Sequence, residues 1–322
     1  MARVLITTVP FGQKNRAPID CLEQAGLDYL INPYGRKLST QELMDLMPDV
    51  ECMVAGTEPI GEALFDAAPN LKLISRVGIG LDNVDLLAAR RRGIAVAYTP
   101  DGPSPAVAEL TIGLMVSLLR GVHHANARGH QGGWERIMGR RLAEVTVGIV
   151  GVGRIGGRVL QLLQPFGGRV LATDVRPVDV PASVTMVDLD TLCRESDVIS
   201  LHLPLTGATR DMFGADRLAQ LKPDAFLINT ARGGIVNEAA LAAALRADHL
   251  AGAAIDVFQV EPYAGELCSI NNCLLTSHMG SMSEDCRFRM EYDAVDAVVR
   301  WTRGDVVEQM VPESEYALRE MV

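Results

Sequence analysis

Val147-Gly148-Ile149-Val150 is an apolar run that passes without a break into Gly151-Val152-Gly153-Arg154-Ile155-Gly156 and then into Arg158-Val159-Leu160-Gln161-Leu162-Leu163. Glycine spacing alone says little. A strand, a tight glycine turn and a helix in direct succession say much more, because that succession belongs to a parallel sheet covered by helices. The first N–H groups of the helix have no intrahelical partner and can hold a pyrophosphate. Gly151, Gly153, Arg154, Ile155 and Gly156 are therefore candidate dinucleotide contacts.

The next expected strand, Arg169 to Thr173, ends at Asp174. A carboxylate there accepts hydrogen bonds from both ribose hydroxyls and repels a 2′-phosphate, so the expected cofactor is NAD rather than NADP. Arg176, close by, leaves room for a phosphate all the same.

The same rhythm of short β-rich runs and amphipathic stretches extends over the whole chain, whose 322 residues suit two domains better than one core. Strands are expected at Val4–Val9, Asp28–Ile31, Val50–Ala55, Leu71–Arg76 and Ile94–Ala97. Ser39 with Glu42 three residues on predicts a capped helix over Ser39–Met47. The turn cluster Thr99 to Pro105 marks a boundary, and a long apolar helix is expected from Ala106 to Leu119. A second series starts near Val145, with strands at Val170–Thr173, Val198–Leu201, Ala225–Asn229, Gly252–Ile255 and Cys273–Thr276. A helix over Ser283–Thr302 closes it.

Three of these strands lead straight into chemically capable side chains: Asn229-Thr230-Ala231-Arg232-Gly233-Gly234, Asp256-Val257-Phe258-Gln259-Val260-Glu261-Pro262 and Thr276-Ser277-His278-Met279-Gly280. The loops after strands are where open parallel sheets take their ligands. Hydride delivered from a nicotinamide to a carbonyl carbon creates an alkoxide that needs a proton donor beside it, and His278 suits that task. A carboxylate on the other imidazole nitrogen, expected to be Glu261, fixes the tautomer and favours the protonated donor. Arg232 offers a planar fork for a substrate carboxylate.

On these motifs the chain closely resembles the D-isomer-specific 2-hydroxyacid dehydrogenases, over nearly its whole length. Around Arg76, Trp134-Glu135-Arg136 and Glu261-Pro262-Tyr263 it looks most like the phosphoglycerate dehydrogenases, in a short form ending at Val322 without a regulatory domain. The resemblance implies an α/β fold with a Rossmann-type NAD-binding domain, residues 100–288, and a flavodoxin-like substrate domain, residues 1–99 and 289–322. It assigns Arg232, Glu261 and His278 the roles argued above. It also implies cofactor contacts from Thr99, Leu203, Thr230, Ala231, Asp256 and Gly280, with Asp256 at the nicotinamide carboxamide. Two departures stand out: Ser277 where relatives commonly carry Pro, and Leu203 where many carry a polar residue.

In the first domain, Arg76-Val77-Gly78-Ile79 follows an apolar strand, and its amides are expected to cradle a carboxylate. Arg76 and Arg136 resemble the arginines associated with a substrate phosphate, so a phosphorylated or doubly anionic 2-hydroxy or 2-oxo acid is one expectation. A glyoxylate or hydroxypyruvate reductase is the alternative. A third reading, from another class, is an NAD-sensing scaffold like the corepressors related to this family. The apolar helix after Pro105 resembles the family's dimerisation element, so a homodimer is expected.

A net charge of −10 argues against broad binding to nucleic acid or an anionic membrane. Six scattered cysteines without a C-x-x-C pair suggest free thiols in a reducing cytoplasm and no metal site. The longest strongly apolar stretch, Ile112 to Leu119, is too short to span a bilayer, and Arg3 onward runs directly into a strand, so neither membrane insertion nor export is expected.

Overall fold

The computed structural model describes residues 3–320. They form two compact units, one running up to Pro103 and resuming at Met282, the other Ser104–Ser281.

The first unit is built on a five-stranded parallel sheet: β1 (Arg3–Ile6), β2 (Asp28–Ile31), β3 (Cys52–Ala55), β4 (Leu73–Arg76) and β5 (Ala95–Tyr98), in the order β2-β1-β3-β4-β5. This is the flavodoxin-like order. Alternate side chains of a strand point to opposite faces, and both faces here are covered. Val4 and Ile6 pack with Ile19, Leu22, Met290, Ala294 and Val298 from helices Ala17–Gln24 and Glu284–Arg303. Leu5, Met53 and Ile74 pack on the other side with Leu43, Leu64, Phe65 and Leu86. Helix Thr40–Leu46 carries the expected capping box, Ser39 accepting from the Glu42 N–H, a cap contributing about 1 kcal/mol.

Sequence and structure differ at the edges of this unit. The Val4–Val9 strand stops at Ile6, although Thr7 still donates its N–H to the Val54 carbonyl. The expected division at 99 and 289 falls instead at Pro103 and Met282. The closing helix is one piece, Glu284–Arg303, capped by Ser283 and ended by Gly304 at φ 76°. Its buried stripe packs against β1, β3 and β4, so a cut at 289 would divide a single packed element.

The second unit holds a seven-stranded sheet: β6 (Thr146–Val150), β7 (Arg169–Thr173), β8 (Val184–Met186), β9 (Val198–Leu201), β10 (Ala225–Asn229), β11 (Leu250–Ile255) and β12 (Cys273–Leu275). The order is β12-β11-β10-β9-β6-β7-β8, every pair parallel. Counted from β6, this is the dinucleotide-fold order 3-2-1-4-5-6 with one strand added. The long apolar helix starts two residues early, at Ser104, with Pro105 in its first turn, where the missing N–H costs nothing. Its Ala108, Leu114, Met115 and Leu118 cover Val147, Ile149 and Ala254, together with Val159 and Leu160 of helix Arg154–Leu163. Leu192, Leu218, Leu241 and Leu245 cover the opposite face. No single helix among the described residues is long and apolar enough to cross a bilayer.

Candidate active site

The winding of the second sheet reverses between β6 and β9, and the loops after these strands touch. Gly151 has φ 93°, and a Cβ on it would lie 2.4 Å from the His202 carbonyl oxygen. A Cβ on Gly156 would lie 2.0 Å from the Gly151 carbonyl oxygen, so bare glycine is what lets helix Arg154–Leu163 close on its strand. Gly153 is different. A Cβ there meets nothing within 4 Å, and Gly153 caps the helix without a side-chain acceptor. Open space at a helix start fits a pyrophosphate. Arg154 and Ile155 occupy the first helical positions.

Asp174 stands past the end of β7, its side chain only 7% exposed. Its Oδ2 accepts from the Val152 N–H at 2.8 Å and its Oδ1 from the Arg176 N–H at 2.9 Å. Burial pushes its acidity the other way, but these backbone N–H bonds and the Arg176 charge hold the carboxyl below its ordinary value. The Arg176 side chain reaches the same oxygen at 3.4 Å, so the nearest cation already faces the acid. His202, behind the glycine turn, shares its Nε2 with Ser200 Oγ at 3.0 Å, and burial pushes its pKa down to about 4. Although the residue as a whole is half-buried, its Nδ1 is enclosed and unbonded, so the ring is neutral at ordinary pH. Leu203 packs into the adjoining core rather than offering a polar group.

Asn229 ends β10 and shapes the next turn: its Oδ1 accepts from the Ala231 N–H at 3.1 Å and its Nδ2 donates to the Arg232 carbonyl at 2.9 Å. Arg232 Nη1 donates to the Ala231 carbonyl at 2.6 Å. A Cβ on Gly233 would fall 2.0 Å from the Phe258 carbonyl oxygen, so this glycine presses the turn after β10 onto the turn after β11. Thr230 is buried against Thr111, hydroxyl to hydroxyl at 3.0 Å. Thr111 donates to the Val107 carbonyl, which makes Thr230 the donor of the pair.

The turn after β11 supplies Glu261. Its Oε1 accepts from the Phe258 N–H at 3.0 Å and its Oε2 meets His278 Nδ1 at 2.8 Å. The proton on Nδ1 is thereby fixed, and Nε2 is left for chemistry. His278 sits at φ 51°, a left-handed backbone rare outside glycine. Asp256, only 1% exposed, holds it there. The Asp256 carbonyl accepts from the His278 N–H at 2.7 Å. Its Oδ1 accepts from the Thr276 hydroxyl at 2.6 Å and the Met279 N–H at 2.9 Å, and its Oδ2 from the Gly280 N–H at 2.9 Å. Three of the four acceptor sites of this carboxylate thus serve the histidine loop. Asn229, Gly233 and Phe258 are functional positions the sequence reading passed over. The signal for Asn229 was an Asn at a strand end two residues before an arginine turn.

In the first unit, Thr99 is buried and clips the turn after β4: its Oγ1 accepts from the Gly78 N–H at 2.7 Å, and its N–H donates to the Gly78 carbonyl. The Val77 N–H is taken by the Ala55 carbonyl. The expected carboxylate cradle therefore loses both amides, and the N–H groups of Ile79 and Gly80 are the ones without a partner among the described residues. Arg76 is 8% exposed; its Nε reaches Asn83 Oδ1 at 3.3 Å and its Nη1 the Val77 carbonyl. Arg136 lies in the second unit, exposed in an irregular segment.

The model of the D-isomer specific 2-hydroxyacid dehydrogenase NAD-binding domain matches residues 112–280. A hydroxypyruvate reductase from Thermotoga maritima is 36% identical over 270 residues, 82% of this chain and 88% of its own. A D-3-phosphoglycerate dehydrogenase from Synechocystis sp. is 35% identical over 87% of this chain, which spans 52% of that longer protein. The crystal structure of the TT0316 protein from Thermus thermophilus superposes with a TM-score of 0.90 at 34% identity, covering 96% of this chain and all of the other.

Proposed function

The chain belongs to the D-isomer specific 2-hydroxyacid dehydrogenase family, and from that premise we propose that Arg232, Glu261 and His278 carry its reaction. It is an NAD-dependent oxidoreductase that moves a hydride between nicotinamide and C2 of a 2-hydroxy or 2-oxo acid. Bound NAD supplies the hydride acceptor or donor; the protein supplies grip and proton. His278 Nε2 delivers a proton to the C2 oxygen during reduction and removes it during oxidation. Glu261 orients the ring and holds the proton on Nδ1. Arg232 grips the substrate carboxylate by its planar fork.

Gly151, Gly153, Arg154, Ile155 and Gly156 take the pyrophosphate and Asp174 the ribose, with Thr99, Leu203, Thr230, Ala231, Asp256 and Gly280 as further cofactor contacts. The observation that carries this reading is the 2.8 Å pairing of His278 Nδ1 with Glu261, held by three hydrogen bonds from the loop to Asp256. A panel of 2-oxo acids assayed by NADH absorbance tests it; NADH binding without turnover of any member would sink it.

The substrate is read as the D-isomer of a small acid, with Arg76, Val77, Gly78, Ile79 and Arg136 as candidate contacts. Two distal ends compete, a phosphate and an unphosphorylated group. Arg76 already serves Asn83 and the Val77 carbonyl inside its own turn, which supports the unphosphorylated reading.

The reading includes a cytoplasmic homodimer. Trp134 and Met138 are 95% and 96% exposed, and Met138 borders a cavity of about 480 Å³ also lined by Leu118, His123, Ile137 and Phe226. Large apolar side chains left in water commonly mark a contact between chains. Buried thiols such as Cys52 and Cys193, pushed up to about 12 and about 11 by burial, suit a reducing compartment. Sedimentation showing only monomer at micromolar concentration would remove the dimer.

A further inference from the structure

A 2-oxo acid carries its carboxylate and its C2 oxygen on adjacent carbons. The groups that meet them, the Arg232 fork and the His278 ring, must therefore stand at one fixed separation, because a misplacement of about 1 Å can cost about 10²-fold in rate. His278 is held by its own loop through Asp256. The residue that aims Arg232 is one to which the reaction above gives no part.

Asn229 is the last residue of β10 and only 1% exposed. Its Oδ1 accepts from the Ala231 N–H at 3.1 Å and its Nδ2 donates to the Arg232 carbonyl at 2.9 Å. The Ala231 carbonyl, lying between these two points on the chain, accepts from Arg232 Nη1 at 2.6 Å. The contacts thus run without a gap from the Asn229 amide, through the backbone of Ala231, to the guanidinium itself. Thr230 has no share in this, since its hydroxyl is spent on Thr111. The main chain of Asn229 reaches the other way. Its carbonyl accepts from the Asp256 N–H at 3.0 Å, and the Asp256 carbonyl accepts from the His278 N–H at 2.7 Å. All of these residues lie within Ser104–Ser281.

An arginine side chain is long and rich in rotamers, so a fork that is to meet a carboxylate in two parallel bonds needs its base fixed by its neighbours. We propose that Asn229 is a positioning residue, which aims the Arg232 fork through the Ala231 carbonyl and sets its spacing from His278 through Asp256. The inference rests on the oxidoreductase reading above and adds a member to its machinery.

The test is a double-mutant cycle on the full chain with NADH. Glyoxylate, pyruvate, hydroxypyruvate and 3-phosphohydroxypyruvate are assayed first, and the acid turned over best is carried through the cycle. Asn229→Leu removes both side-chain bonds at similar volume and is expected to lower kcat/KM by about 10²-fold. Arg232→Lys keeps the charge and loses the fork, and is expected to lower it by at least about tenfold. In the Arg232→Lys background Asn229→Leu should cost less than about threefold, because no fork is left to aim.

A residue that merely supports the fold would cost the same in both backgrounds, so equal losses overturn the proposal, as does an Asn229→Leu protein with wild-type kcat/KM. Should that variant fail to fold, Asn229→Asp, which keeps the shape but sets an acceptor against the Arg232 carbonyl, takes its place in the cycle. Failure of both to fold makes the residue structural and overturns the proposal too. Each of these results leaves the reaction reading standing. Wild-type kinetics for Arg232→Lys, or NADH binding without turnover of any of the four acids, removes that reading and this inference with it.

Discussion

Replacing Gly156 by Ala places a Cβ 2.0 Å from the Gly151 carbonyl oxygen, backbone against backbone, where no side chain can swing aside. A carbon and an oxygen settle at more than 3 Å, so helix and turn must part by roughly 1–1.5 Å. Overpacking of a fitted core costs about 1–3 kcal/mol, and a clash with no flexible partner belongs at the upper end. For a unit of this size about 3 kcal/mol lowers the melting temperature by about 6–12 °C. The same displacement carries the helix N–H groups away from a bound pyrophosphate, so NADH affinity should fall by at least about tenfold.

Gly153→Ala is the matched control. Its Cβ meets nothing within 4 Å, so stability should stay within about 1 kcal/mol, yet NADH should still bind at least about tenfold more weakly because the methyl occupies the ligand's space. Calorimetry and NADH fluorescence titration read the two effects separately. A Gly156→Ala protein that melts with the wild type refutes the packing argument. A Gly153→Ala protein that keeps full NADH affinity refutes the placing of the pyrophosphate.

His278→Asn suits the left-handed backbone and should lower kcat by about 10²–10⁴-fold; equal loss of NADH affinity in a fluorescence titration would point to a loop collapse instead. Asp256→Asn keeps one acceptor oxygen and turns the other into an N–H₂ that faces either the Gly280 N–H or the Thr276 and Met279 donors, and should cost about 1–3 kcal/mol together with a fall in kcat; wild-type activity and melting would refute the anchoring role. Asp197 resists burial by accepting from the Thr146 N–H and pairing with Lys222 and Arg140, which together hold its carboxyl below the ordinary 3.8. A depressed folded value means that this stability is complete above about pH 4 and fades as the pH falls through the folded value. Asp197→Asn should flatten the acid limb of a melting-temperature profile, and an unchanged limb would contradict it.

The strands that both sheets bury on two faces could be read directly, because Val198–Leu201 and Ala225–Asn229 are apolar but for Ser200 and Asn229 and leave no other periodicity open. β8 could not. Only Val184 of its three residues is buried, and the strand is paired on one side alone. Helix Val122–His130 buries none of its residues, so no apolar stripe announced it. The Thr7-Thr8-Val9 run is β-branched and read as strand, but the chain leaves the sheet at Thr7, whose side chain turns to Glu58.

At the site, Arg232, Glu261 and His278 stood out because each follows its own strand. Gly233 did not, since its purpose lies in the Phe258 carbonyl, which reaches it from the neighbouring strand end.

The residues that hold the His278 loop, Asp256, Phe258, Glu261 and Thr276, hang from the ends of two adjacent strands, β11 and β12, and are tied to one another. Glu58, Thr7 and Asn83 belong to a different sheet with its own bracing. The loop that carries His278 and the loop that carries Glu58 can therefore each be rewritten without touching the bracing of the other.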